Sequence, residues 1–307
     1  MVLLPCSRIN LFFGLLGKAM SGSARERAQR ILIVDDDPDI HQLLRHILGQ
    51  QGYDLTSAGT AGEAFALLQA QPDFDLLLLD LGLPDMNGLE LLAKLRSASL
   101  TARVIIITAD NTPQAVIRAL RQQAYDYVRK PFSPQEIEAT IERALRAGQD
   151  PDFEVISAKP DWLEISIPCT LDAAERIENY VRQLNSCHDL ELSQQVGQVF
   201  RELVMNAVEW GGKLDSTRRT RIACIRTKRM LLYRIADPGP GFVIEEINHA
   251  SFANPDPLAY LQAREAKGLR PGGLGIVMVT ALADEVLYNE ARNEVLFVKF
   301  LPPSDRA

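Results

Sequence analysis

The stretch Ile31-Leu-Ile-Val-Asp35-Asp36-Asp37-Pro38 runs four apolar residues straight into three carboxylates and a proline. An apolar run of strand length with no alternation belongs to a strand covered on both faces. Four more runs follow downstream: Asp54–Ser57, Leu76–Leu79, Val104–Ile107 and Tyr125–Val128. Helix-like segments such as Ile40–Gly49 and Ala61–Ala70 come after them. This alternation predicts a doubly wound α/β domain on a five-stranded parallel sheet, spanning residues 30–148. Sheets of this kind place ligands at the carboxyl ends of their strands.

At those ends the sequence sets Asp35 and Asp36 after the first run, Asp80 after the third and Thr108 after the fourth. Lys130 follows the fifth, just before Pro131. Three carboxylates on one edge repel one another unless a cation compensates, and an all-oxygen set suits Mg²⁺. A lysine opposite neutralises an incoming phosphoryl group, and a threonine hydrogen-bonds it. The pattern reads as a carboxylate nucleophile set up for phosphoryl transfer. Any one of these aspartates alone would read as a loop or helix-cap residue.

The same opening, with Leu79-Asp80-Leu-Gly-Leu-Pro84-Asp-Met-Asn-Gly88, Ile107-Thr108-Ala109 and Lys130-Pro131-Phe132, resembles the receiver domains of two-component systems, whose fold is flavodoxin-like. That resemblance implies that Asp80 accepts phosphate from a sensor histidine kinase. It implies Mg²⁺ bound by Asp35, Asp36, Asp80 and the main-chain carbonyl of Gly82, and Thr108 with Tyr127 as the pair that reorients on phosphorylation.

Residues 149–160 are polar, hold two prolines and lack helical periodicity, so they are expected to be a short linker. Beyond them Trp162–Ile167 alternates as a strand, and Asp172–Asn185 and Ser193–Trp210 pattern as helices. On the second helix Glu202, Asn206 and Glu209 fall in one stripe, with Leu203, Val204, Ala207 and Val208 opposite. Such a stripe is either a solvated face or the wall of a cleft holding a metal-bound ligand. Two glycine clusters follow. Asp237-Pro-Gly239-Pro-Gly241 ends a strand, and Gly272-Gly273-Leu274-Gly275 opens the helical pattern Ile276–Leu282, a turn suited to phosphates. Each cluster alone also reads as a tight turn.

In this order Glu202-Leu-Val-Met-Asn206-Ala-Val-Glu-Trp-Gly211, Asp237-x-Gly239-x-Gly241 and Gly273-Leu-Gly275 resemble the N box and glycine boxes of the GHKL ATPases. The resemblance implies an α/β sandwich of Bergerat type over residues 161–302 that binds ATP. Asn206 would ligate Mg²⁺, Asp237 would meet the adenine amino group, and Gly239, Gly241, Gly273 and Gly275 would shape the pocket. The wording is most similar to the bacterial anti-sigma-factor serine kinases, which implies Glu202 as general base toward a protein serine. Trp210 departs from the pattern, since a histidine often stands there, and Ile244–Arg270 offers few recognisable lid residues.

The whole-chain balance narrows the function classes. At 307 residues with 47% hydrophobic content, two ordinary cores fit. A net charge of −7 argues against direct nucleic-acid binding, and Arg218, Arg219 and Arg221 read as a solvated loop. Cys6, Cys169, Cys187 and Cys224 have no metal spacing and fit reduced thiols. Leu11–Leu16 resembles a signal h-region but is too short to span a bilayer, so residues 1–29 are expected to be a disordered or mis-assigned leader, with Met20 an alternative start. Residues 303–307 are a tail. The expectation is a cytoplasmic regulator, off the membrane, in which Asp80 controls an output domain that binds or phosphorylates an anti-sigma-factor antagonist or a sigma factor. A homodimer is compatible with this. The alternatives are a non-catalytic, nucleotide-dependent sequestering module and a hybrid histidine kinase fragment. The fragment would need a phosphoacceptor histidine on a dimerising helix, and none of the four histidines occupies such a place.

Overall fold

The computed structural model describes residues 27–98, 102–110, 112–147, 153–186, 189–241 and 275–302. Residues 1–26 of the expected leader, the whole of Ile244–Arg270, Gly273 and the tail 303–307 lie outside the described residues.

The first unit is built on β1 (Arg30–Val34), β2 (Asp54–Ala58), β3 (Leu76–Leu79), β4 (Arg103–Thr108) and β5 (Asp126–Arg129). All pair in parallel, in the order β2-β1-β3-β4-β5. Helices α1 (Pro38–Leu48), α2 (Ala61–Ala70), α3 (Gly88–Ser97), α4 (Pro113–Arg121) and α5 (Pro134–Arg146) alternate with the strands. Each begins on a side-chain cap: Asp37, Thr60, Asn87, Thr112 and Ser133 accept backbone N–H bonds from the first turn. Prolines at the starts of α1, α4 and α5 strengthen the same boundaries. Two apolar layers, one on each sheet face, bury β1, β3 and β4 almost completely, which is why their sequences run apolar without alternation.

The second unit is an antiparallel sheet in the order β10-β11-β9-β8-β7-β6. Its strands are β6 (Glu154–Lys159), β7 (Trp162–Pro168), β8 (Arg219–Arg226), β9 (Met230–Ala236), β10 (Glu285–Tyr288) and β11 (Glu294–Phe300). Helices α6 (Leu171–Leu184), α7 (Leu190–Asn206) and α8 (Gly275–Leu282) accompany it. The core between sheet and helices includes Ile165, Tyr180, Phe200 and Phe297, and Tyr233 stacks on Phe297 at 4.7 Å.

Two expectations are corrected here. Residues 154–159, read as linker, form β6, because pairing with β7 satisfies their backbone while Phe153 and Ala158 enter the core. The Arg218–Arg221 run is not a solvated loop. Arg219 and Arg221 lie on β8, with Arg219 Nε donating to Ser166 Oγ at 2.8 Å and Nη2 to Ser166 O at 2.7 Å. Arg218 donates to Pro238 O at 2.7 Å.

Candidate functional site

The first constellation stands at the carboxyl edge of the parallel sheet. Asp35 follows β1, Asp80 follows β3, Thr108 ends β4 and Lys130 follows β5, so neighbouring strands bring distant residues together. One carboxylate oxygen each from Asp35, Asp36 and Asp80 lies within 4.8 Å of the others. Lys130 Nζ donates to Asp35 Oδ2 at 2.6 Å and stands 3.5 Å from Asp80 Oδ2. Asp80 Oδ1 is buried and has no hydrogen-bond partner among the described residues. An acceptor oxygen in that state is costly unless a cation or incoming group satisfies it. The all-oxygen donor set fits Mg²⁺. A Cβ built on Gly82 would come within 3.4 Å of Asp80 Oδ2, so the backbone there runs close beside the carboxylate.

Burial shifts the titration of this cluster. Asp35 is pushed above the ordinary aspartate range by desolvation, partly offset by the bond from Lys130. The Tyr127 hydroxyl is likewise pushed up, first by burial and then by the charges of Asp110 and Asp80. Tyr127 is fully buried and its hydroxyl donates to Asp110 O, while Thr108 Oγ1 accepts from Asp110 N at 3.2 Å. The Asp110 backbone therefore links the two residues expected to switch together.

The second constellation lies in the other unit. Glu202 and Asn206 sit one turn apart on α7, with Asn206 Nδ2 3.5 Å from Glu202 Oε1. Leu203, Val204, Ala207 and Val208 are buried, as the stripe predicted. From Ala207 to Gly211 the helix widens into a π turn, which carries Glu209 and Trp210 out of simple helical phase. Trp210 is half exposed. Gly275 opens α8 against the Glu202 carboxylate, and any Cβ there would collide with Glu202 Oε1. Asp237 follows β9, with its Oδ1 accepting from Gly239 N at 2.7 Å. Gly211 lies flush on the Asp237 side chain, and a Cβ on Gly239 would come within 2.9 Å of Gly211 Cα. The N-box end and the first glycine box thus meet through glycines because no side chain fits between them. Gly241 has φ +85°, a left-handed backbone closed off by Ala291 O.

Of three supporting residues, Asn293 and Asp85 were not singled out from the sequence, and Arg218 was read only as part of a solvated loop. Asn293 accepts the Asp237 N–H on its carbonyl at 2.9 Å and donates its amide to Gly239 O at 2.9 Å. Arg218 holds Pro238 O from the other side. Asp85 accepts from Ala61 N and Gly62 N at 2.9 and 2.8 Å, and those bonds hold its carboxyl below the ordinary range. Asp85 lies inside the quoted Asp80 motif, whereas Asn293 sits 56 positions beyond Asp237 with no local signal. Asp237 itself is pushed up by burial, against the opposing pull of Gly239 N–H and Arg218. Among the described residues no helix is long and apolar enough to cross a membrane.

Comparison with known proteins follows this division. The model of the response regulator receiver domain matches residues 31–142, and that of a histidine kinase-like ATPase domain matches residues 167–299. The DNA-binding response regulator MtrA of Mycolicibacterium smegmatis is 31% identical over 211 residues, covering 68% of this chain and 90% of MtrA. The alginate biosynthesis transcriptional regulatory protein AlgB of Pseudomonas putida is 38% identical over 142 residues, 46% of this chain and 30% of AlgB. Among solved structures, a CheY-like response regulator receiver domain protein from Methanospirillum hungatei is 36% identical with a TM-score of 0.37, covering 38% of this chain and 94% of that chain.

Proposed function

The chain belongs to the response-regulator family, with a receiver domain followed by a histidine kinase-like ATPase domain, and from that premise we propose a phosphorylation-controlled partner-switching regulator. Asp80 is the phosphoacceptor, served by a sensor histidine kinase. Asp35, Asp36, Asp80 and the Gly82 carbonyl hold Mg²⁺, Lys130 and Thr108 receive the phosphoryl oxygens, and Thr108 with Tyr127 relays the change. In the second domain Asn206 holds the Mg²⁺ of ATP, Asp237 reads the adenine, and Gly239, Gly241, Gly273 and Gly275 line the pocket. Glu202 is the candidate general base toward a serine of an anti-sigma-factor antagonist. The protein works in the cytoplasm.

The observation that carries this reading is the buried Asp80 oxygen without a partner, framed by two further aspartates and Lys130, in the same chain as the Glu202–Asn206 stripe. The half-exposed Trp210 at the end of the N box favours a second reading, in which nucleotide binding only orders a partner-sequestering surface. The test uses the full chain with a small-molecule phosphodonor and, separately, Mg-ATP. The expected results are phosphoryl incorporation that Asp80→Asn abolishes and Mg-dependent ATP binding that Asn206→Ala abolishes. Absence of ATP binding sinks the output half of the proposal. Serine transfer lost in Glu202→Gln, with ATP binding kept, separates the kinase from the sequestering module.

A further inference from the structure

β5 is an edge strand of the receiver sheet, so the Tyr127 carbonyl on it, and the Ala124 and Tyr125 carbonyls of the turn leading into it, need partners from elsewhere. They find them on α6 of the second domain. Arg176 Nε donates to Tyr125 O at 2.9 Å, Asn179 Nδ2 to Tyr127 O at 2.9 Å, and Tyr180 OH to Ala124 O at 2.7 Å. Spacings of three and four put these residues on one stripe of the helix. Asp172, four residues before Arg176, extends that stripe by accepting from the Tyr125 hydroxyl. All three donors are at least nine-tenths buried. The Asn179 amide also bonds the fully buried Asp126, which pairs with Arg143 at 2.7 Å. The guanidinium carbon of Arg176 stands over the rings of both Tyr125 and Phe153, 4.2 and 4.4 Å from their centroids.

The other side of α6 leads to the nucleotide site. Glu178, adjacent to Asn179, pairs with Arg201 of α7 at 2.9 Å, and Arg201 adjoins Glu202. Asn185, just past α6, accepts on its carbonyl from Ser193 Oγ of α7 at 2.9 Å. One helix therefore touches the main chain of the switch residue Tyr127 and the helix bearing Glu202 and Asn206.

We infer that the stripe Asp172, Arg176, Asn179 and Tyr180 on α6 is the coupling surface through which phosphorylation of Asp80 and binding of ATP influence each other, with Asn179 as the positioning residue that reads β5. This rests on the proposed function of both sites. Asn179 donates to the Tyr127 carbonyl while the Tyr127 ring is fully buried, so a rotation of Tyr127 that moves β5 changes the fit of α6. Coupling of this kind is reciprocal: whatever factor phosphorylation applies to ATP affinity, ATP applies to the phosphorylated state.

The test is a cycle of equilibrium titrations on the full chain. Mg-ATP affinity is measured with and without beryllofluoride as the Asp80 phosphoryl mimic, in wild type and in Asn179→Asp. That change nearly preserves shape but sets a carboxylate against Asp126. Wild type is expected to show an affinity ratio of about 5-fold or more, and Asn179→Asp a ratio near one, with each ligand still bound on its own. Arg176→Lys, which keeps the charge but loses the Nε donor, is read in the same way should the first variant not fold. A ratio retained in the variants overturns the inference. A wild-type ratio of one with ATP bound also overturns it while leaving the ATP site standing. No ATP binding in wild type overturns the reading on which it rests.

Discussion

Asp237 is a carboxylate that the fold tolerates at a cost. Burial raises its pKa above the ordinary 3.8, so the ionised form is less stable in the folded chain than in the unfolded one. The sign follows: this destabilisation is present at neutral pH and is relieved as pH falls through the folded pKa toward 3.8. Replacing Asp237 with Asn keeps an oxygen for the Gly239 N–H and removes the charge. Without nucleotide, Asp237→Asn is therefore expected to melt no lower than wild type at pH 7, and to lose part of the pH slope above 3.8. In the proposed role of Asp237 the ATP adenine amino group would lose its charged acceptor in this variant, and affinity is then expected to fall about 10- to 100-fold. Thermal melts across pH beside ATP titrations check both halves. A variant less stable at pH 7 and unchanged in ATP affinity would contradict the assigned role.

At the scale of elements, α3 is held against the strand end that carries Asp80. Gly88 begins α3, its N–H donates to Leu81 O at 3.1 Å, and a Cβ there would collide with Asp80 O and crowd Leu81 Cα. Because the obstacle is backbone, relief requires moving the helix or the strand. Gly88→Ala is expected to cost about 1–3 kcal/mol by overpacking, measured by urea unfolding, and to slow phosphoryl incorporation at Asp80. The parallel sheet was legible because both its faces are buried: runs such as Leu76–Leu79 cannot be mistaken once caps and helices alternate with them. The antiparallel sheet was harder to read. β6 looked like linker because an edge strand alternates exposed Glu154 and Lys159 with few core residues. The start of β8 looked like loop because Arg219 and Arg221 lie on a strand whose apolar signal begins only at Ile222. The Glu202–Asn206 stripe was legible as periodicity, but the π turn after it was not, since nothing in Ala207–Gly211 announces an extra residue per turn.

At the scale of the molecule, what the sequence hides is the seam between domains. Asp126 looked like an ordinary β5 residue, yet it is fully buried between Arg143 of its own domain and Asn179, 53 positions away. Composition carries no trace of such a pairing, because each partner is common on a solvated helix. The seam is also polar: Arg143 pairs with Glu175 at 3.2 Å and Arg182 with Glu136 at 3.6 Å around the buried Asp126. Truncating one member of a buried pair strands the others, which typically costs about 3–5 kcal/mol, far more than an exposed pair contributes. Asp126→Ala leaves Arg143 and the Asn179 amide without their shared acceptor, and water must enter the seam to satisfy them. The wild-type chain is therefore expected to melt in one calorimetric transition, because β5 is completed by α6. Asp126→Ala should split this into two, the receiver melting first, with the lower transition displaced by several degrees. A single transition in the variant, shifted as a whole, would mean that Asp126 stabilises the receiver alone and that the two domains stay joined through the Arg176 and Tyr180 bonds.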